Sequence, residues 1–486
     1  LKEWVKKEIS KEVDNNISYL KEILKDNSDI VFREFYMGKW KAAFVYIDGM
    51  GDKLLLDQFV MIPLMKNADE LKDAEEMKDK ILTISDLREV EDFSKGVDAM
   101  LSGDTLMMLE GINKAYVIAT RFWPARGVSE PSGETVVRGS REGFTETIRF
   151  NTALVRRRIR DTRLKVVPSS LGVRSKTDVV VMYMSDLVNN QVLEELNKRL
   201  QKINIDAVLD SGYIQQFIED DIYSPFPQVQ STERPDVVAA AIYEGRTAIL
   251  VDNSPFVLIV PATLNNIIQS PDDYNQRWMH ASFVRITRVF ALFISLILPC
   301  LYIAVTSFHT GIIPTKLAYS IAASREGVPF PAFVEVLIME VSMALLLEAI
   351  VRLPRPIGAT IGIVGGLIVG QAAVTAGIVS PIMIIIVAST AITEFVASSY
   401  EITSAIRMVR FGLIIAASII GLYGIVLGII LLTCHLIKLK SFGIPYLAPA
   451  VNPNLEDQKD YLIRMPLKFF KKRPIYMNSR DKIRQK

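Results

Sequence analysis

Apolar positions along the chain follow three regimes. Trp4, Val5, Ile9, Val13, Ile17, Leu20 and Leu24 recur at spacings of three and four, one face of a helix over residues 1–25. From there to about residue 265 apolar runs are short and cut by polar turns. They predict strands at Ile30–Met37 and Ala42–Ile47, and helices at Asp52–Met65, Ala68–Ile81 and Glu89–Leu101. A hairpin, Leu106–Leu109 with Ala115–Thr120, closes around Glu110–Asn113. A second set follows: a helix at Thr147–Arg160, strands at Leu164–Val167 and Asp178–Met184, and helices at Val192–Ile203 and near Gly212–Glu219. The run Pro235–Ala262 is apolar enough to suggest a membrane span. Glu244-Gly245-Arg246 and Asp252–Pro255 cut it, however, and its pieces are dense in Val and Ile. It predicts three strands, Val237–Tyr243, Thr247–Val251 and Phe256–Val260, with Glu244-Gly245 as a hairpin turn.

Beyond Arg288 the pattern changes scale. Val289–Phe308 is uncharged, with Pro299 inside it. Phe330–Val351 is apolar but carries Glu335, Glu340 and Glu348. The 38 positions between Arg355 and Glu394 carry no charge, and Phe411–Cys434 is again apolar. A span needs about 20 apolar residues, so these stretches predict a transmembrane helical domain of four to five spans. Gly377–Pro381 is the break in the long stretch, since proline starts helices better than it continues them. If Pro356–Ala376 is re-entrant the count is four and the basic tail (Lys438, Lys440, Arg464, Lys468, Lys471, Lys472, Arg473) lies inside; five spans put it outside. Arg277, Arg285 and Arg288 ahead of the first span predict a cytoplasmic N-terminal part.

The fold class expected is a multidomain membrane protein: two α/β cytoplasmic subdomains followed by an α-helical transmembrane domain. Its parts are an amphipathic helix (1–27), a first α/β unit (28–127), a connector (128–145), a second α/β unit (146–280), the transmembrane domain (281–437) and a basic tail (438–486). Composition agrees: 50% of the 486 residues are hydrophobic, and the net charge of +2 gives no argument for nucleic acid. The first 30 residues carry no signal-peptide pattern.

Candidate chemistry lies in three places. Gly358, Gly362, Gly366 and Gly370 recur every fourth residue, a stripe that admits a close helix backbone. Packing within one subunit and a place at the centre of an oligomer or conduction path both fit it. With Gln371 it forms the candidate pore or packing stripe, and Ile363, Val364, Leu367 and Ile368 form a candidate gate that closes by dewetting. Glu335, Glu340, Glu348 and Glu394 are costly in a bilayer unless they face protein or water. Glu348 and Arg352 stand in the favourable i,i+4 order. In the connector, Glu134, Arg138, Arg141 and Glu142 alternate in sign. They suit a salt-bridged linker or a docking loop in which Arg138 and Arg141 fork onto carboxylates. Cys300 and Cys434, with His280, His309 and His435, form no metal-ligand spacing. No hydrolase, zincin, P-loop or CxxC motif is present, so neither an enzyme nor a cofactor is expected.

Five stretches carry a resemblance: GETVVRGSREGFTE (133–146), RPDVVAAAIYEGRTAILVDNSPFVLIVP (234–261), IPTKLAYSIAASREGVPFPAFVEVLIMEV (313–341), RLPRPIGATIGIVGGLIVGQAAVTAGIVSP (352–381) and SFGIPYLAP (441–449). They resemble the A subunits of bacterial spore germinant receptors, the GerA family. The resemblance implies a multi-pass protein of the spore inner membrane that works with a permease-like B subunit, which binds the nutrient, and a lipoprotein C subunit. It implies self-association into a germinant-gated cation channel that triggers germination. A non-conducting scaffold subunit, or the related branch associated with the dipicolinic-acid channel, fits the same motifs.

Overall fold

The computed structural model describes residues 5, 8–68, 71, 73–122, 130–131, 133–352, 366, 370–396, 399–451 and 454–485. Its longer helices are numbered α1–α12. In the first unit, α1 (Val13–Ile23) precedes strands β1 (Ile30–Met37), β2 (Trp40–Ile47) and β3 (Leu87–Val90). Helix α2 (Phe93–Leu101) then leads to β4 (Thr105–Leu109) and β5 (Ala115–Ile118). The sheet order is β1-β2-β4-β5-β3, antiparallel throughout. Val13, Ile17 and Leu20 of α1 and Phe93, Val97 and Met100 of α2 cover one face with Val45, Leu106 and Met108. Lys53–Leu56, Asp57–Met61 and Ile62–Lys66 run on as one rod with a π turn in its middle. Leu56, Val60 and Leu64 cover the other face, on Phe44, Met107 and Leu109. Central strand β4 is buried along its whole length because helices lie on both sides.

The second unit repeats this plan. Helix α3 (Ile148–Arg158) precedes β6 (Leu164–Leu171) and β7 (Thr177–Met184). Helices α4 (Asn190–Gln201) and α5 (Ser211–Ile218) lead to β8 (Gln230–Thr232), α6 (Pro235–Tyr243), β9 (Thr247–Val251) and β10 (Val257–Val260). The order β6-β7-β9-β10-β8 matches the first sheet strand for strand, again antiparallel. Helices α3 and α6 pack on one face and α4 and α5 on the other.

Three expectations change. Residues 237–243 are helix, not strand. Pro235 sits in the first turn, and the Ala239–Ala241 triplet favours helix. Gly245, at φ +91°, ends the helix instead of turning a hairpin: its N–H donates to Ile242 O and that of Arg246 to Ala241 O, a Schellman ending. Residues 87–90 are an edge strand, so the helix expected from Glu89 begins at Phe93. The N-terminal helix begins at Val13, because buried Asn16 hydrogen-bonds both the N–H and the carbonyl of Ser10. Val5 and Ile9 still enter the core of the first unit, from outside the helix.

The two units are joined by a buried fork. Arg156, fully buried on α3, donates to both carboxylate oxygens of Asp29 at 2.9 and 2.8 Å, and to Asn27 Oδ1 at 2.9 Å. Ser28 N–H adds a bond to Val166 O. Arg156→Ala strands the buried Asp29 carboxylate, and stability falls by about 3–5 kcal/mol. Thermal unfolding of the full chain reads the loss, and faster protease nicking near residues 24–28 locates it.

The helical part comprises α7 (Trp278–Ser307), α8 (Thr315–Arg325), α9 (Ala332–Arg352), α10 (Pro381–Glu394), α11 (Tyr400–Ile420) and α12 (Leu422–Lys438); residues 370–375 are also helical. The expected break before Pro381 is present. Gly377 has φ +66°, and Ser380 caps α10 through its hydroxyl. Phe411–Cys434 is not one span. Gly421, at φ +61° and ψ −134°, folds the chain into a hairpin of α11 and α12. Among the described residues α7 and α11 are long and apolar enough to cross a membrane; α10 and α12 are shorter apolar helices. After α12 the chain returns to the second unit. Ser441 Oγ accepts from Ala262 N–H at 3.0 Å and donates to Gln228 O at 2.6 Å. Leu264 N–H donates to Tyr446 O, and Arg480 N–H to Leu187 O. The basic tail therefore packs on the second α/β unit.

Candidate functional site

The helical part holds a buried cluster of charge built around a proline. A proline at position 299 has no N–H to give the carbonyl of Ser295 four residues back. Arg410 of α11 supplies that bond: its Nη1 donates to Ser295 O at 3.2 Å and to Ser295 Oγ at 3.1 Å. Its Nη2 lies 2.8 Å from Glu340 Oε2 of α9 and 2.5 Å from Glu394 Oε1 of α10. Arg407, one turn back on α11, holds the other oxygen of Glu394 at 2.7 Å. Glu394 ends its helix, where the helix dipole disfavours an anion, and two arginines offset that. One guanidinium thus ties four helices, and Arg410, Glu340 and Glu394 are all buried. Two arginines balance two carboxylates, while Glu340 Oε1 and Arg410 Nε have no hydrogen-bond partner among the described residues. A cavity of about 10 Å³ lies beside them.

A second clasp holds the other end of α10. Buried Glu335 accepts from Ser380 N–H at 3.0 Å, at the start of that helix, and from Arg325 Nε of α8 at 3.0 Å. Tyr302 of α7 lies 3.3 Å from Ser380 Oγ. Glu348, by contrast, is exposed and pairs with Arg352, the i,i+4 pair expected. Of the glycine stripe, Gly358 and Gly362 lie outside the described residues, as do Ile363, Val364, Leu367 and Ile368. A Cβ at Gly370 would make ordinary contact with Ile384 of α10, whereas one at Gly366 would meet nothing within 4 Å among the described residues. Gln371 is exposed.

The connector lies along the second unit. Val137 and Arg138 donate their N–H groups to the Asp272 carboxylate, and Asn275 donates to Arg138 O. These contacts tie the connector to the segment just before α7. Glu142 takes Arg157 and Arg158 of α3. The fork expected of Arg138 and Arg141 belongs instead to Arg234, which grips Asp236 and donates to the carbonyls of Glu134 and Ser140. Arg138 takes part through its main chain, and Arg141 makes a 3.9 Å contact with exposed Glu130. Arg285 and Arg288, read from sequence as topogenic charges, are buried and share Asp273; Arg285 also reaches Asp460 of the tail.

Connector, second unit and the link between α10 and α11 enclose a polar cavity of about 600 Å³. Burial lowers the Arg246 guanidinium there to about 10, with Nε bonded to Pro261 O. Burial pushes the Glu134 carboxyl up to about 7, against the pull of the Thr232 hydroxyl that donates to it. Glu134 therefore holds its proton more tightly folded than unfolded. Its contribution to stability falls as pH rises from its ordinary 4.5 to about 7. The size of the shift caps the loss at about 3 kcal/mol. Melting of the full chain in detergent across that window should show a slope that Glu134→Gln flattens.

Sequence reasoning missed Arg407, Arg410, Arg325 and Ser295. The available signal was the pairing of Pro299 with a charge at the edge of an apolar stretch. Two α/β units of one topology, stapled to an apolar helical bundle with a buried charge clasp, define a class: a two-part protein of paired α/β units and an apolar helical domain. The chain matches the family described as Bacillus/Clostridium GerA spore germination protein over residues 18–476, and it belongs to that family. Relatives include the uncharacterised membrane protein YfkQ of Bacillus subtilis (strain 168), 44% identical over 96% of this chain and 91% of the relative. Spore germination protein B1 of the same organism is 41% identical over 99% and 100%. Spore germination protein GerLA of Bacillus cereus is 40% identical over 97% of each. The crystal structure of the N-terminal domain of the A subunit of the Bacillus megaterium spore germinant receptor GerK3 aligns with 53% of this chain and 98% of its own, at 34% identity and a TM-score of 0.43.

Proposed function

We propose that this chain is the A subunit of a germinant receptor in the spore inner membrane. In this reading it assembles with itself, with a permease-like B subunit that binds the nutrient and with a lipoprotein C subunit, and it forms a germinant-gated cation path. The path runs along the stretch Gly358–Gln371, with Ile363, Val364, Leu367 and Ile368 as the gate. The Arg410 clasp is the observation that carries the reading. A charge cluster this buried in an apolar bundle is costly, and it ties α7, α9, α10 and α11 at one point, so releasing it frees them together. Glu335, Glu340 and Glu394 act in this account as latches, since each already holds an arginine. Among the described residues nothing lies within 4 Å of a Cβ at Gly366, which supports room for a second copy there. Both α/β units and the tail lie on the cytoplasmic face, which makes the number of crossings even.

The pairing of those three carboxylates also favours a second reading, a non-conducting scaffold. Cation flux from liposomes holding the chain with its B and C partners separates the two. The channel reading expects germinant-dependent flux, and flux without germinant when Glu340→Gln loosens the clasp. Absence of flux from inserted, oligomeric protein in both cases favours the scaffold.

A further inference from the structure

The loop after α5 presents two large apolar side chains to solvent: Ile222 is 68% and Tyr223 is 90% exposed. The loop is held firmly behind them. The Oε1 of buried Gln228 accepts the N–H groups of Asp220 and Asp221 at 3.0 and 2.8 Å, and its Nε2 donates to Asp221 O at 2.7 Å. Asp220 also takes Arg199 at 2.6 Å and the N–H of Phe442 at 2.7 Å. Tyr223 N–H closes on Asp221 Oδ1 at 3.0 Å. Such a loop cannot fold its apolar tip inward.

The height of the tip is fixed by the next residue. Ser224 Oγ lies 2.9 Å from Nε2 of His435, in the last turn of α12. Phe226 packs against the same imidazole, with ring centroids 6.4 Å apart. Consecutive Cα atoms are about 3.8 Å apart, so Tyr223 stands level with that turn. The outward face of α12 there is still apolar, with Leu431 and Ile437 exposed on either side of His435. Lys438 and Lys440 follow at once. Exposed Tyr400 opens the neighbouring α11, with Glu401 next to it in the chain. This is the level at which an apolar helix face gives way to charge, and tyrosine favours it because its ring is apolar and its hydroxyl polar.

We propose that Ile222 and Tyr223 dip into the headgroup layer of the bilayer and anchor the second α/β unit to the lipid surface. This rests on the membrane reading of the helical part proposed above, with α12 as one of its apolar helices. Continuity with the apolar face of α12 selects lipid over a second protein as the occupant.

The test uses the full chain, with Cys300 and Cys434 replaced by alanine, in phosphatidylcholine–phosphatidylglycerol liposomes. Single cysteines replace Tyr223, Leu431 or Val173 and carry an environment-sensitive fluorophore. Lipids with a quencher at a shallow or a deep position report depth. The expected result is a blue shift and loss of fluorescence at position 223, greater with the shallow quencher. Position 431 should also be quenched, and position 173, exposed on the second unit, should not. Quenching at 431 but not at 223 overturns the anchor and leaves the membrane reading standing. No quenching at either position removes the membrane reading itself. A blue shift at 223 that lipid does not quench, and that disappears on dilution of the protein, assigns the tip to a second copy and also overturns the proposal.

Discussion

Arg410→Met will destabilise the helical domain by about 3–5 kcal/mol, the usual cost of removing one partner from a buried ion pair. The side chain is replaced by one of similar length, so lost packing is small. What remains is Glu340, buried and without a cation, and Glu394 held by Arg407 alone. The Ser295 carbonyl also loses the donor that stood in for the missing N–H of Pro299. Thermal unfolding in detergent measures the effect. Adding Glu340→Gln should recover a substantial part of the loss, because the stranded charge is gone. Equal stability of the single and double variants would show that the two groups are not coupled. Under the proposed function Arg410→Met should also leak cations without germinant.

Gly424→Leu should do comparable damage for a steric reason. Helices α11 and α12 approach so closely that a Cβ at Gly424 would collide with the carbonyl oxygen of Ala416. Backbone cannot swing aside as a side chain can, so the cost should reach about 3 kcal/mol, the upper end for overpacking. Gly428→Leu meets only the tip of Leu413 and should cost less. Gly412→Leu, with nothing within 4 Å, should be neutral to slightly stabilising, since leucine favours helix over glycine. Melting temperatures of the three variants test this order. Equal effects at 412 and 424 would contradict the hairpin.

Sequence pattern recovered most of the soluble strands and helices but hid the repeat. Two of its errors fall on the same part of the plan, the edge strand and the helix after it. In the first unit β3 was absorbed into the helix from Glu89. In the second, α6 was read as strand because its buried valines sit beside the continuously apolar β9 and β10. Local chemistry held the correction: Pro235 at the helix start and Gly245 at its end. In the helical part the carboxylates were visible as anomalies, yet their partners were not. Arg407 and Arg410 stand just outside the apolar stretch that begins at Phe411, and it is the packing of α11 against α7, α9 and α10 that puts them among carboxylates. Which helices Arg410 ties together depends on tertiary packing, which periodicity does not encode. The connector shows the same limit. Its alternating charges suit a linker or a docking loop alike, and the guanidinium that grips its backbone, Arg234, comes from the second unit.

The account rests on a bundle that crosses the membrane with the α/β units and the returning tail on one face. Side-specific labelling tests it directly. In a chain with Cys300 and Cys434 replaced by alanine, single cysteines are placed at Val173 in the second unit, Ile483 in the tail and Ile312 beyond the far end of α7, all exposed positions. In sealed vesicles a membrane-impermeant thiol reagent should reach 173 and 483 from the same side and 312 from the opposite side. Labelling of 483 from the side that reaches 312, or of all three from one side, would contradict it.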